Sequence, residues 1–240
     1  IGDLSRGSLK VGDEVSLEVD YERRKYVAIN HTCTHVLNHA LRDVLQFGHP
    51  DQFTEVHQRG SLVTDDYLRF DFSWNSKLDI KDVAAAEKLV NEAIEKELQV
   101  YSSPVEYTKA VGIKYIRMEF NAKYGDVVNV VSVGRSIEDI LKEPESEENK
   151  NYSIELCGGT HIVNFSEVRR AVFISEDALT KGVRRVVLFT NDAAARAVAQ
   201  AEELRAEFDK IKSLVTKDFD DKAKQFSVLA KKVNDSQIPF

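Results

Sequence analysis

The sequence predicts an α+β fold, a mixed, mostly antiparallel sheet packed with helices. Three observations carry that reading. Apolar residues recur at helical spacing, as in Val36, Leu37, Ala40, Leu41, Val44 and Leu45. Other short runs alternate apolar and polar side chains at strand period, residues 67–74 most strictly. Helices and mostly antiparallel strands are interspersed along residues 21–190, and 42% hydrophobic residues suffice to bury a substantial core.

In chain order, residues 1–20 hold Leu9, Val11, Val15, Leu17 and Val19 around a Gly12-Asp13 turn. The alternation reads as two short strands, too few to close a sheet. Residues 21–29 lead to a helix with Asn30 as N-cap, its side chain accepting from first-turn amides. It runs to about Gln46, and Gly48 and Pro50 mark a loop. Residues 56–63 form a strand in which Gly60 suits a bulge, paired as a hairpin with 67–74 through Thr64-Asp65-Asp66. Asp79 caps a helix from Ile80 to about Leu98, with Val83, Leu89, Val90, Ala93 and Ile94 inward. A strand pair is expected at 103–109 and 115–120, then a buried Val-rich strand at 126–133. Residues 136–150 carry the acidic run Glu143-Pro144-Glu145-Ser146-Glu147-Glu148 and read as a solvated, mobile insertion. Residues 152–156 are a short strand. Strands at 171–175 and 184–190 enclose a short helix from Glu176 to about Lys181, ended by Gly182. Asn191 caps a long helical tail in which Leu204, Phe208, Ile211, Val215, Phe226, Ala230 and Val233 step by three and four, as in a coiled-coil or helical-hairpin arm.

Composition narrows the function classes. Two cysteines leave no disulfide framework and point to a reducing compartment. No apolar run approaches the ~20 residues of a membrane span. The chain opens at Ile1 in mid-pattern, as an excised fragment would. A net charge of −7 argues against a uniformly basic nucleic-acid surface, so any such partner meets a local patch. Arg23-Arg24-Lys25, Arg169-Arg170, and Lys181 with Arg184-Arg185 are the candidates, against a reading as ordinary solvated charges. No G-x-G-x-x-G or Walker pattern is present.

The chemistry-bearing residues are two pairs. His31 and His35 lie four apart on the helix, so both imidazoles leave one face. Cys157-Gly158-Gly159-Thr160-His161 repeats that spacing on a glycine loop. A thiolate with three imidazoles suits Zn(II) better than Mg or Ca. Cys33 points off the ligand face and reads as a small buried hydrophobe, and His39 as helix surface.

These residues resemble the editing domain of alanyl-tRNA synthetases, shared with free-standing AlaX deacylases and, more distantly, the threonyl enzyme. His31-Thr-Cys-Thr-His35 followed by Leu-Asn-His-Ala-Leu-Arg is similar to the family's HTATH-type helix. Gln58-Arg-Gly-Ser-Leu-Val with Leu68-Arg-Phe-Asp-Phe-Ser73, Cys157-Gly-Gly-Thr-His161 and Lys181-Gly-Val-Arg-Arg185 resemble its other segments. The insertion ending in Ser-Ile-Glu-Leu-Cys resembles eukaryotic members. Trp74 stands where many relatives carry His, so no polar role is carried onto it; Cys33 stands where they often have a small residue.

The resemblance implies hydrolysis of Ser- or Gly-tRNA(Ala), with zinc held by His31, His35, Cys157 and His161. It divides the chain into the end of a β-barrel module (1–25), a zinc-dependent editing domain (26–190) and a helical arm toward an absent C-terminal domain (191–240). The aminoacylation domain is absent. The implied partners are the tRNA(Ala) acceptor end carrying Ser or Gly and the other domains of the parent synthetase, with no membrane, in the cytoplasm or, for the parent, mitochondria. Arg69, Arg169, Arg170, Arg184 and Arg185 are then the candidates for tRNA. Thr34 and Gln58 are placed to hydrogen-bond the serine hydroxyl or the water, and the Gly158 and Gly159 amides to face an oxyanion, unless they serve only the turn. Zinc either activates water or orients substrate. The rival readings are a non-catalytic zinc-stabilised RNA- or protein-binding module, which four simultaneous protein ligands would suit, and a zinc hydrolase of small esters or amides.

Overall fold

The structure, a computed structural model, describes residues 3–49, 55–118, 123–213 and 219–239. Asp20, not Asn30, starts the first helix. Its carboxylate accepts from the Arg23 amide at 3.0 Å, and α1 (Tyr21–Leu41) runs on as a π-helical segment, Arg42–Phe47. Asn30 is buried in mid-helix. Its amide donates to Thr64 O at 3.0 Å, and its Oδ1 accepts from Thr190 Oγ1 at 2.7 Å. A side chain that reads locally as a cap is spent on tertiary partners. Residues 3–20 form no strand. Leu9, Val11 and Leu17 are exposed.

The hairpin β1 (Gln58–Val63) and β2 (Tyr67–Ser73) forms as expected, its ladder shifting between Gln58 and Gly60. Asp79 caps α2 (Ile80–Glu95), accepting from Lys81 N at 2.9 Å. β3 (Val100–Glu106), the single turn α3 (Tyr107–Ala110), β4 (Val127–Val133), α4 (Ile137–Lys142) and β5 (Ser153–Leu156) follow. β3 pairs antiparallel with β4, not with a strand at 115–120. Residues 115–118 make only an isolated bridge, Arg117 to Glu155, and the rest of that expected strand lies outside the described residues. The valine run of β4 takes both neighbours, β3 and β5, because it is apolar on both faces.

The acidic segment is built structure. Ser136 caps α4, Ile137 and Ile140 are buried, and Asn149 accepts from Arg135 Nη1 at 2.9 Å. The glutamates of the run are exposed, as their charge demands. The helix expected at 176–181 is strand instead: β6 (Ala171–Thr180) turns through Lys181-Gly182 into β7 (Val183–Thr190). Gly182 has φ +77°, the left-handed backbone a two-residue hairpin requires. Across that hairpin Asp177 faces Arg185 and Glu176 is ion-paired to Arg184, cross-strand charge pairing that local periodicity does not show.

Two antiparallel sheets result, β1-β2-β7-β6 and β3-β4-β5. α1 and α2 cover one face of the first sheet, packing Val36, Leu37, Ala40 and Val90 against Phe70, Phe72, Phe173 and Leu188. A second core lies on the smaller sheet, around Val130, Ile140 and Ile154. α5 (Asn191–Ser213) lies against the first sheet through Ala194 and Ala197 on Val172. α6 (Phe219–Asn234) folds back on α5, with the Phe208 and Phe226 rings 5.7 Å apart. Val215 lies outside the described residues. The helical tail is therefore a hairpin whose first turns pack on β6 through a small separate apolar cluster. Ala194→Asp, placing a carboxylate in a fully buried site, is expected to lower stability by ~2–4 kcal/mol in denaturant melts. Truncation after Ser213 should leave the core transition in place, and its loss would show that α6 is integral to the core.

Candidate metal centre

His31 and His35 sit well inside α1, so their separation is set by regular helix. Each ring is oriented by a contact at Nδ1. His31 Nδ1 lies 3.1 Å from Thr160 O, and His35 Nδ1 is hydrogen-bonded to the Glu155 carboxylate. Thr32 Oγ1 donates its proton to Ala28 O at 2.8 Å, so at 3.2 Å it accepts from His161 Nδ1. All three rings then carry the proton on Nδ1 and turn the Nε2 lone pair toward one another. His35 Nε2 and His161 Nε2 are buried with no hydrogen-bond partner, and ring centroids stand 4.6–5.1 Å apart.

Cys157 arrives from the other sheet. Asn129 of β4 clamps its backbone, the Cys157 amide donating to Asn129 O at 3.0 Å and Asn129 Nδ2 to Cys157 O at 2.8 Å. Sγ then lies 3.4 Å from His31 Nε2. The glycine loop must pass close to the helix: a Cβ on Gly159 would stand 2.1 Å from His31 Cε1. One ligand atom from each of His31, His35, Cys157 and His161 falls within 4.8 Å of all the others. Converging lone pairs and a sulfur, with orphaned nitrogens among them, fit a metal ion.

The electrostatics agree. Burial alone would raise the Cys157 thiol, but the imidazoles of His161, His31 and His35 gathered around it bring it down to about 3, which favours the thiolate. Burial alone would lower His35, but the Glu155 carboxylate and the thiolate raise it to about 10. Burial lowers His161. Cys33 is fully buried, and desolvation pushes its thiol up to about 12, as an inert packing residue requires. His39 stays outside the cluster, lowered by burial.

The cluster opens into a cleft of about 630 Å³. Thr34 and Gln58 line it, as do Asn38, Arg59, Ser61, Arg117 and Glu155, which the sequence reading missed. Glu155 had a signal: two residues before Cys157 on a strand, it shares that residue's face. Asn38 lies one turn beyond His35 on the ligand stripe. Arg117, in a bridge rather than a strand, had none. Neither Gly158 nor Gly159 lines the cleft, and the Gly159 amide donates to Cys157 Sγ at 3.4 Å.

None of the five predicted arginines lines the cleft. Arg185 is bidentate to Asp71 at 2.7 and 2.9 Å, and Arg69 stands 3.8 Å from the same carboxylate. Arg184 is ion-paired to buried Glu176, and Arg169 to Asp192 at 3.1 Å. Arg170 is exposed beside the start of β6.

Residues 128–187 match the family described as the threonyl and alanyl tRNA synthetase second additional domain. The chain is 37% identical over 245 residues to the cytoplasmic alanine–tRNA ligase of Caenorhabditis elegans, a match covering 98% of this chain and 24% of that protein. It is 40% identical over 202 residues to the cytoplasmic enzyme of Dictyostelium discoideum, covering 84% and 21%. It is 38% identical over 208 residues to the mitochondrial enzyme of Saccharomyces cerevisiae, covering 87% and 20%. The chain thus spans about a quarter of the length of these curated relatives or less. Among the described residues, no helix is long and apolar enough to cross a membrane.

Glu155→Gln removes the carboxylate that orients His35. Metal affinity, read by Co(II) titration of the thiolate charge-transfer band, is expected to fall ~10–100-fold, and the melting midpoint of the metal-free protein to fall as well, because the same carboxylate docks β5 on α1. Unchanged affinity would show that Glu155 does not hold the ring.

Proposed function

The chain belongs to the alanyl-tRNA synthetase editing-domain family, and on that premise we propose that its cleft hydrolyses the ester of Ser-tRNA(Ala) and Gly-tRNA(Ala), with Zn(II) as the resident ion. The observation that carries the reading is a donor set of one thiolate and three imidazoles at the floor of an open cleft. A pocket shaped for alanine separates amino acids differing by a methyl or a hydroxyl by only ~1–3 kcal/mol, so a second, hydrolytic site answers a real chemical need. The parent protein is proposed to ligate alanine to tRNA(Ala), in cytoplasm or mitochondria. The proposed division is a preceding module ending near residue 25, the editing domain to residue 190, and the helical arm.

His31, His35, Cys157 and His161 would hold the ion, which supplies Lewis acidity to the ester when bound. The chain's own groups position the substrate. Thr34 Oγ1 donates to His31 O at 2.6 Å, which leaves its oxygen lone pairs to accept in the cleft. Gln58 Nε2 donates to Ser61 Oγ at 3.3 Å, so its carbonyl oxygen is the group free to accept from a serine hydroxyl or an attacking water. Asn38 Nδ2 is held by Glu155 at 2.7 Å, and its buried Oδ1 has no donor, as suits an acceptor for the substrate's ammonium. Among the five predicted arginines, Arg170 remains a candidate for a more distant phosphate, since it is exposed.

A second reading, a non-catalytic zinc module that binds RNA or protein, draws on the same geometry, because four protein donors close a tetrahedral shell. Deacylation of Ser-tRNA(Ala) by this chain separates the two. Cys157→Ala, which takes away the one soft, charged donor, is expected to lower zinc content and hydrolysis together, the rate by ~100-fold or more, with circular dichroism near native because the two apolar cores remain. Full activity without metal would dismiss zinc from the chemistry. Global unfolding would make zinc a staple and favour the second reading.

A further inference from the structure

We propose that Arg42, Arg117 and Lys150 form a subsite for one phosphate of the RNA strand whose ester enters the cleft. The inference rests on the hydrolase reading above and adds the residues that grip the strand. Where α1 passes into its π-helical segment, a small pocket opens beside β5, lined by Arg42, Phe47, Arg117, Lys150 and Ser153. Arg117 and Glu155 line both this pocket and the large cleft, so the two are contiguous. Arg42 Nε, Arg117 Nη2 and the Ser153 hydroxyl are all buried without a hydrogen-bond partner, and neither arginine has an ion pair among the described residues. Lys150 Nζ lies over the Phe47 ring, 4.0 Å from its centroid.

Buried guanidinium nitrogens without an acceptor are costly, and three orphaned donors around one pocket call for an anion. Burial already pulls Arg42 down to about 10. Glu155, the one carboxylate in the lining, attracts Arg42 through space, as does Glu55, but its two oxygens are hydrogen-bonded to His35 and Asn38. The enclosed space, about 10 Å³, admits a single oxygen-sized group. A phosphodiester fits: one anionic oxygen points inward, the ester oxygens stay in solvent, and the guanidinium forks match it.

The test uses the whole chain and an unacylated single-stranded RNA with the tRNA 3′ sequence, with binding followed by fluorescence anisotropy across a salt series. Arg42→Gln and Arg117→Gln are each expected to weaken binding ~5–10-fold and to flatten the salt slope by ~0.7. Arg42→Lys should restore much of the loss, and Lys88→Gln on α2 should change nothing. Metal content and melting midpoint, taken on the same samples, should stay at wild-type values. If either variant unfolds, Lys150→Gln at the pocket rim carries the test, with the same loss expected. RNA binding unaffected by the variants in folded protein overturns the proposal. So does inorganic phosphate binding that the variants abolish while RNA binding persists, which would mark a free-anion site. Because the RNA carries no ester, failure of the wild type to hydrolyse Ser-tRNA(Ala) would sink the hydrolase reading and leave this one standing. Hydrolysis with an unchanged KM in the arginine variants would do the reverse.

Discussion

Glu155 is buried between His35 and Asn38, and the site depends on that contact. A buried carboxylate is tolerated only with donors on its oxygens. Here both donors come from α1, while the carboxylate comes from β5. The two elements belong to different hydrophobic cores, α1 to the larger and β5 to the smaller. Satisfying one charge therefore docks the smaller sheet against the helix. It also sets the height at which Cys157, two residues on, meets His31. Thr32 does the same for the other end of the loop, receiving His161 Nδ1 and the Ile162 amide on one hydroxyl. Each donor is placed by a neighbour that has no direct part in the donor set.

The walls of the cleft are built on a different principle. β1 is an edge strand and largely exposed, so Gln58, Arg59 and Ser61 bury little apolar area. These positions can vary without disturbing either core, whereas the donor set cannot. Gly159 shows the tight side, with no room for a Cβ over His31. A rigid floor and an adjustable wall suit a site whose chemistry is constant while its selectivity is set by polar contacts from the rim.

Charge is allocated in the same spirit. The net charge is −7, yet the molecule carries concentrated positive charge where backbone geometry holds it. Arg184 and Arg185, adjacent on a strand, point to opposite faces, and each meets an acid there: Glu176 and Asp71. They staple the first sheet. Arg42 and Arg117 have no such partners among the described residues, although neither stands out in the sequence as part of a basic run. The clustered Arg184 and Arg185 are here structural, while the dispersed Arg42 and Arg117 converge.

The sequence by itself determined the periodic elements and the ligand types. The β1–β2 hairpin, α2 with its Asp79 cap, β4, β5 and the two H/C-x-x-x-H pairs follow from side-chain period and local capping, interactions that span a few residues. The tertiary structure alone decided the rest, because it turns on partners distant in the chain. Asn30 could not be assigned without Thr64 and Thr190, nor residues 176–180 without Arg184 across the turn. The acidic segment needed Arg135 and a second core to be ordered. Glu155 and Asn38 share a face with Cys157 and His35 in the local period, but the hydrogen bond between them, across 117 positions, exists only where α1 meets β5, and Arg117 left no local signal.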